Sequence, residues 1–334
     1  MNKRMLKGCL SALGMMLLIL DAKTALAGAL QGVELCIHTL IPSLLPFFLL
    51  SVLMTDSLLG VRWHWLEPLG KLLKIPMGSE SLLLVGFLGG YPAGAQSVTQ
   101  AWSSGSISSE CARRMLGFCS NAGPAFLFGL VAFQFSDSLT AWILWAIHII
   151  SALLAGMLLP GERSEHVQLN IQRGLSLSEA LNRSLRITGA VCGWVILFRV
   201  ILSFAERWFL WYVSDELQAA FYLITELASG CISLQMIDNE GLRMVLCSIA
   251  LSMGGLCVLM QTVSVTGKLG LGAYLPGKLI QTLSSGILCC LYLAISGRNT
   301  AAFYAAILGS ILLLCISFLI IRKNKYGNLR KAVV

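Results

Sequence analysis

Apolar windows of about 20 residues recur along this chain, and they constrain its fold more than any other feature. Each is long enough for a helix to cross a bilayer, and they lie at 8–27, 33–55, 112–133, 139–159, 186–211, 243–265, 274–295 and 301–321. Composition agrees, because 57% of the 334 residues are apolar and 12% are charged, whereas soluble domains have about 45–50% and about 25%. The sequence predicts an all-α polytopic membrane protein with about eight transmembrane helices.

Two further apolar segments, 81–101 and 221–237, are interrupted by Gly, Ser or Pro. We expect both to be re-entrant hairpins, which enter the bilayer and leave on the same side. With hairpins that do not cross, most of the 24 Lys and Arg residues, Arg114 and Lys278 among them, fall in cytoplasmic segments. This agrees with the positive-inside rule and predicts that both termini are cytoplasmic.

The predicted spans divide the chain into segments. These are an N-terminal signal-anchor helix (1–28), a first repeat (29–160), a cytoplasmic linker with an amphipathic helix (161–185), a second repeat (186–321) and a basic cytoplasmic tail (322–334). Ala25-Leu26-Ala27 resembles a signal-peptide cleavage site, so cleavage of residues 1–27 stays open. Ser176-Leu177-Ser178-Glu179 is a capping-box pattern that predicts the start of the linker helix.

The order span, hairpin, broken span occurs twice. Hairpin interruptions lie at 89–95 and 226–230, and helix breaks lie at 119–124 and 251–256, inside the broken helices at 112–133 and 243–265. The crossing count makes the two halves run in opposite directions, as inverted repeats with discontinuous helices. Paired interruptions at matching positions of two halves are a pointer to a transporter binding site.

Gly and Pro at these positions leave backbone N–H and C=O groups without helical partners, and lipid cannot satisfy them. Such groups persist where protein or water surrounds them, which predicts a solute site. The competing interpretation is that Gly and Ser merely allow close helix packing.

The candidate substrate-binding residues come from these interruptions and the turns beside them. They are Gly90, Tyr91, Pro92, Gly94, Ser120, Asn121, Glu226, Ser229, Ser252, Gly254, Gly255 and Gln261. Glu226 is ionisable within an apolar stretch, so it either carries a proton or cation or lies at the interface. Asn121 either recognises solute or caps the broken helix. Arg199, near the middle of a span, either snorkels or pairs with Glu206, or it contacts an anion.

Other function classes lack their motifs. The sequence has no His-Glu-x-x-His, Gly-x-Ser-x-Gly or Lys-containing phosphate loop, so we expect no enzyme activity. It has no Cys-x-x-Cys pair, and we expect no metal site and no cofactor; a coupling ion, H⁺ or Na⁺, is left open. Basic residues at the ends of apolar segments do not form a nucleic-acid surface. The expected partners are a small solute and the lipid bilayer, with a homo-oligomer or a sporulation membrane partner left open.

Several motifs resemble one known family. They are Ile41-Pro42-Ser43-Leu44-Leu45-Pro46-Phe47-Phe48, Gly90-Tyr91-Pro92-Ala93-Gly94-Ala95-Gln96, Asn121-Ala122-Gly123-Pro124 and Gly254-Gly255-Leu256-Cys257-Val258-Leu259-Met260-Gln261. Together they resemble the sporulation integral membrane protein YlbJ family, within the nucleoside-recognition (Gate) domain group.

The resemblance implies an architecture similar to concentrative nucleoside transporters, with hairpins and discontinuous helices around a midplane site. It also implies a role in endospore formation in a Gram-positive bacterium, in the cell membrane or the outer forespore membrane. The expected function is transport of a small polar or anionic solute, dipicolinate above all, across the outer forespore membrane. The alternatives are a nucleoside-type transporter and a non-transporting Gate-domain scaffold subunit of a sporulation membrane complex.

Overall fold

The computed structural model describes residues 3–162, 174–297 and 300–332, most of which are helical and none of which forms a β-strand. The α-helices of these ranges are α1 Lys3–Leu20, α2 Ala22–Leu35, α3 Ile41–Leu58, α4 Glu67–Leu72, α5 Glu80–Leu88, α6 Ala93–Ser103, α7 Ser109–Met115, α8 Pro124–Phe126, α9 Ser138–Leu158, α10 Leu177–Trp208, α11 Asp215–Thr225, α12 Leu227–Ser233, α13 Glu240–Met253, α14 Gly255–Thr266, α15 Tyr274–Gly297 and α16 Thr300–Ala332. Short π-helical or 3₁₀ segments join α2 to α3 and extend α8, α10, α12 and α14.

Five helical stretches within the described residues are long and apolar enough to cross a membrane. They are Ala22–Leu58, Ser138–Leu158, Leu177–Trp208, Glu240–Leu269 and Tyr274–Gly297. Shorter apolar helices lie at Pro124–Gln134, Leu227–Met236 and Tyr304–Ser317. The prediction of an all-helical membrane protein is confirmed, and the set of long apolar helices is smaller than the eight spans that the sequence predicts.

The N-terminal helices differ from the predicted spans 8–27 and 33–55. The helix is interrupted at Asp21, between α1 and α2. The Asp21 carboxylate caps α2 by accepting a hydrogen bond from the Thr24 amide at 3.4 Å. From there α2, a π-helical turn at Cys36–Leu40 and α3 form one helix of 37 residues, about 55 Å long. The π-turn precedes Pro42, which has no N–H to donate and whose ring crowds the carbonyl one turn back.

Helix α2 packs closely on α10 through two glycines one turn apart. A Cβ on Gly28 would lie 2.9 Å from Val200 Cα, and a Cβ on Gly32 would lie 2.8 Å from Ile196 Cα. Larger side chains would separate the two helices, so small residues let their backbones approach, as is common between membrane helices.

The predicted capping box forms at the start of α10. Ser176 Oγ accepts a hydrogen bond from the Glu179 amide at 3.3 Å, and the Glu179 carboxylate accepts one from the Ser176 amide at 2.8 Å. The helix then continues to Trp208, so the predicted linker helix is the first part of α10 and not a separate element. Residues 163–173 of the predicted linker lie outside the described residues.

Arg114 was predicted to be a basic residue of a cytoplasmic segment, and the structure places it in the interior with 6% of its surface exposed. Its guanidinium donates hydrogen bonds to the carbonyl oxygens of Leu73 (2.5 Å), Gly156 (2.6 Å) and Leu159 (3.4 Å). The last two carbonyls end α9, where a positive charge is favourable. Arg114 therefore ties α7 to the end of α9.

Two helical hairpins and two helix breaks position the candidate site. The first hairpin is α5 with α6, and the second hairpin is α11 with α12. The first break is the non-helical segment 119–123 before α8, and the second break is at Gly254, between α13 and α14. The sequence predicts hairpins at 81–101 and 221–237 and helix breaks at 119–124 and 251–256.

Candidate functional site

The tip of the first hairpin lies directly on the first break. Gly90 turns the chain with φ +78°, and a Cβ on Gly123 would lie 2.8 Å from Gly90 Cα. A Cβ on Gly94 would overlap the carbonyl oxygen of Cys119. Gly94 therefore serves close packing, and Gly90 supplies the left-handed turn that other residues rarely adopt.

The second break lies against the tip of the second hairpin in a similar way. Gly254 and Gly255 both have positive φ, +81° and +73°, which ends α13 and starts α14 in a new direction. A Cβ on Gly255 would lie 2.9 Å from the Leu223 carbonyl oxygen, and one on Gly254 would lie 3.5 Å from Tyr91 Cζ. Tyr91 thus reaches from the first hairpin to the second break.

A small cavity lies between the tips of both hairpins, the first break and α14, the helix that follows the second break. The space open to the centre of a water molecule is about 40 Å³. Its walls are Leu40, Leu44, Gly90, Tyr91, Ala122, Gly123, Phe126, Val191, Val195, Glu226, Leu227, Ala228, Val258 and Gln261. The structure therefore brings Gly90, Tyr91, Glu226 and Gln261, from both halves of the chain, to one cavity that is apolar apart from a few side chains.

Glu226 lies at the tip of the second hairpin with 2% of its surface exposed. Its carboxylate accepts hydrogen bonds from the amides of Ala228 (2.9 Å) and Ser229 (2.6 Å), so it caps α12. Carboxylates are favourable acceptors at this position. The cap fixes the turn between α11 and α12 while Glu226 forms part of the cavity wall.

Lys278 of α15 lies behind Tyr91 and is buried, with 4% of its surface exposed. Its Nζ donates hydrogen bonds to Tyr91 Oη and to Gln281 Oε1, both at 2.7 Å, and to the carbonyl oxygen of Ser120. Tyr91 Oη in turn donates to the Leu251 carbonyl oxygen at 3.1 Å. These hydrogen bonds connect the first hairpin, the first break and α13, the helix before the second break.

Asn121 belongs to the same network and does not line the cavity. Its Nδ2 donates to the Phe118 carbonyl oxygen at 2.8 Å, and its Oδ1 accepts from Gln281 Nε2 at 2.9 Å. Asn121 is fully buried. Of the two predicted roles, these contacts favour capping of the broken helix.

His148 of α9 joins the first break to the second. Its Nε2 accepts a hydrogen bond from the Ala122 amide at 3.0 Å, and its Nδ1 lies 3.2 Å from Ser252 Oγ. Because Nε2 is an acceptor, a neutral ring carries its proton on Nδ1 and donates it to the serine. We call Tyr91, Ser120, Asn121, His148, Ser252, Lys278 and Gln281 the buried network.

The remaining candidates lie around these features. Pro92 is buried at the N-cap position of α6, and the Ser120 hydroxyl is buried without a hydrogen-bond partner. Ser229 lines a more open recess of about 310 Å³ on the other side of α12. Arg199 also lines this recess and pairs with Glu206 at 3.0 Å, which agrees with the predicted ion pair.

Sequence reasoning missed three members of the buried network, and one pattern could have shown them. Lys278 was predicted to be a basic residue at the cytoplasmic start of the span 274–295, whereas His148 and Gln281 were not singled out. Tyr274, Lys278, Gln281 and Ser285 follow one another at spacings of four, three and four, which places them on one helix face. A polar stripe on an apolar span indicates a buried polar contact.

Within the described residues, no group of three or more His, Cys, Asp or Glu side chains is placed to share a metal ion. Three oxygen atoms, Tyr91 Oη, Gln281 Oε1 and the Ser120 carbonyl oxygen, surround the Lys278 side-chain nitrogen.

Comparison with curated proteins finds the sporulation integral membrane protein YlbJ of Bacillus subtilis (strain 168), 32% identical over 132 residues. The match covers 38% of this chain, and the chain spans about a third (32%) of the relative's length. No protein-family model matches the chain, and no solved structure matches it. The relative supports the resemblance to the YlbJ family that the motifs predict.

Proposed function

We propose that this chain is a transporter for a small polar anion, with dipicolinate as the first candidate, in a membrane of a sporulating bacterium. The observation that carries the proposal is the cavity whose walls include the tips of both hairpins and residues beside both helix breaks. Similarity to a sporulation integral membrane protein supports the biological setting. The proposal places the protein in the outer forespore membrane, with both termini in the cytoplasm, and assigns it no enzymatic reaction and no cofactor.

Backbone N–H and C=O groups in the non-helical segments need hydrogen-bond partners other than lipid. Non-helical segments at membrane depth are tolerated where protein or a wet cavity surrounds them. The turns at Gly90 and Gly254 meet this condition, because Gly90 packs on Gly123 of the first break and Gly254 lies against Tyr91 of the first hairpin. In the proposal the two halves are inverted repeats, the hairpins enter from opposite faces, and relative movement of the halves opens the cavity to each side in turn.

The charge near the cavity favours an anion over a nucleoside. Lys278 lies one hydrogen bond behind Tyr91, at 2.7 Å from its Oη, and no described carboxylate pairs with it. Its positive charge in a medium of low dielectric attracts negative charge over several ångströms. Glu226, on the cavity wall, is a candidate for carrying a coupling proton. At about 40 Å³ the cavity has room for water but not for a solute of this size, so solute entry requires the hairpins to separate.

Transport is tested with purified protein in liposomes, using labelled dipicolinate and labelled uridine in separate assays. We expect uptake of dipicolinate above that of protein-free liposomes and little uptake of uridine. Ala228 lines the cavity, so Ala228→Trp should fill it and abolish uptake. Ala190→Trp, on the exposed surface of α10, should leave uptake unchanged. Absence of dipicolinate uptake by protein shown to be folded would contradict the proposal, and uridine uptake would favour the nucleoside-type alternative.

One observation favours a second candidate, a membrane scaffold subunit that moves no solute. Asn121 and Glu226 are satisfied by hydrogen bonds within the protein, so neither requires a solute in this conformation. For a scaffold, Ala228→Trp should leave spore formation intact, while substitutions on exposed loops should impair it. The transporter proposal expects the reverse.

A further inference from the structure

The first break presents an oxygen site of the kind that holds a coupling cation in transporters with broken helices. In such proteins, unwound backbone carbonyls coordinate the ion. Here the Ser120 carbonyl oxygen, Tyr91 Oη and Gln281 Oε1 converge on one point, and the Nζ of Lys278 lies at that point. The site is therefore filled by a cation that belongs to the chain itself.

The hydrogen-bond directions around this nitrogen are those of a full ammonium. The Ser120 carbonyl and Gln281 Oε1 can only accept, and the orientation of the Gln281 amide is fixed because its Nε2 donates to Asn121 Oδ1. Tyr91 Oη gives its proton to the Leu251 carbonyl at 3.1 Å, so it accepts from Lys278. Three acceptors use all three N–H groups of an ammonium, whereas a neutral amine has two.

The charge of Lys278 has no carboxylate partner among the described residues; ion pairs such as Lys71 with Glu67, Arg199 with Glu206, and Arg207 with Asp21 lie elsewhere. A Tyr91 ring centroid 4.8 Å from Nζ adds a weaker attraction. An ionisable residue buried in a membrane helix without a counter-ion is expensive and is by default functional.

We propose that Lys278 is a tethered cation that occupies the ion position of the first break, so that no free Na⁺ or K⁺ binds there. Occupancy of this position by Lys278 is inferred from the hydrogen-bond geometry and does not depend on the proposed transport function. A second consequence rests on the proposed function: uptake of the anionic solute does not require Na⁺ or K⁺, and the fixed charge selects for anions.

The occupancy is tested by emptying the site. Lys278→Ala removes the three carbons and the nitrogen beyond Cβ, leaving the oxygens around a space that n-propylammonium fits. We expect the variant to melt at a lower temperature than the wild type and to regain several degrees as n-propylammonium is added. Neutral n-propanol should not restore the melting temperature, and neither compound should raise that of the wild type. Lys268→Ala, at an exposed lysine, should show no response to either compound.

Failure of n-propylammonium to restore folded Lys278→Ala would overturn the occupancy. If Lys278→Ala does not fold, Lys278→Met replaces it, because methionine keeps the volume of the side chain without its charge. Na⁺ should fail to stabilise Lys278→Met, since the methionine fills the space. Stabilisation of the wild-type protein by Na⁺ would overturn the proposal. In liposomes, replacing Na⁺ and K⁺ by choline should leave wild-type dipicolinate uptake unchanged, and a strict need for Na⁺ would overturn the second consequence. If n-propylammonium restores the melting temperature of Lys278→Ala but the wild type takes up no dipicolinate, the tethered cation stands and the transporter proposal fails.

Discussion

Substitution of Glu226 by Gln separates its two functions, capping the second hairpin and placing a charge on the cavity wall. The carboxylate accepts two amide hydrogen bonds, at 2.9 and 2.6 Å. Glutamine has one carbonyl oxygen, so one of the two buried amides loses its acceptor and faces the NH₂ group instead. An unsatisfied buried donor costs about 1–3 kcal/mol, and we expect Glu226→Gln to lower the free energy of unfolding by this amount.

Glu226→Asp provides the matched comparison, because Asp keeps the charge and is a good N-cap residue. Its free energy of unfolding should stay within about 1 kcal/mol of the wild type. Glu216→Gln, exposed on the same hairpin, should change it by less than about 0.5 kcal/mol.

The assay is reversible unfolding in detergent, followed by dipicolinate uptake normalised to folded protein. Glu226→Gln should lose uptake beyond its loss of folded protein, whereas Glu226→Asp should retain uptake. Equal stability of Glu226→Gln and the wild type would refute the cap. Full uptake by folded Glu226→Gln would refute a role for the charge in transport.

Two further substitutions test the packing around the site. Gly94→Val should destabilise the protein by about 1–3 kcal/mol, because the added atoms overlap the Cys119 carbonyl. Gly189→Val is the control and should not destabilise it, because no atom lies within 4 Å of its Cβ position. Thermal unfolding measures both variants, and equal melting temperatures would contradict close packing of Gly94 on Cys119. Arg114→Met leaves three buried carbonyls without their charged donor and should cost about 1.5–3 kcal/mol or more. Arg113→Met, at an exposed arginine, is the control in the same unfolding assay. An equally small loss of unfolding free energy in both variants would contradict the role of Arg114 in holding α7 to α9.

The sequence predicted those parts of the site that depend on backbone chemistry. Gly90 and Gly254 stand out because a residue without Cβ inside an apolar segment either turns the chain or permits close approach, and the structure shows both effects. Ser176 and Glu179 were predictable because a capping box is local in sequence. The helical membrane class followed from composition alone.

Tertiary contacts explain what the sequence could not predict. Lys278 begins a span, where a basic residue usually marks the membrane edge, and only the fold brings it to Ser120, 158 residues away. Arg114 is similar, since its three acceptors belong to other elements. The length of Ala22–Leu58 was missed because the predicted spans 8–27 and 33–55 divide it, whereas in the structure the helix begins after Asp21 and a π-helical turn carries it past Pro42.

The convergence of both hairpins and both breaks on one cavity is tested most directly by an electron cryomicroscopy map of the protein in lipid nanodiscs with dipicolinate. We expect non-helical density at residues 119–123 and at Gly254, the Tyr91 side chain reaching Leu251, and solute density between Tyr91 and Glu226. Uninterrupted helices at these positions, with lipid chains against Gly90 and Gly254, would contradict it.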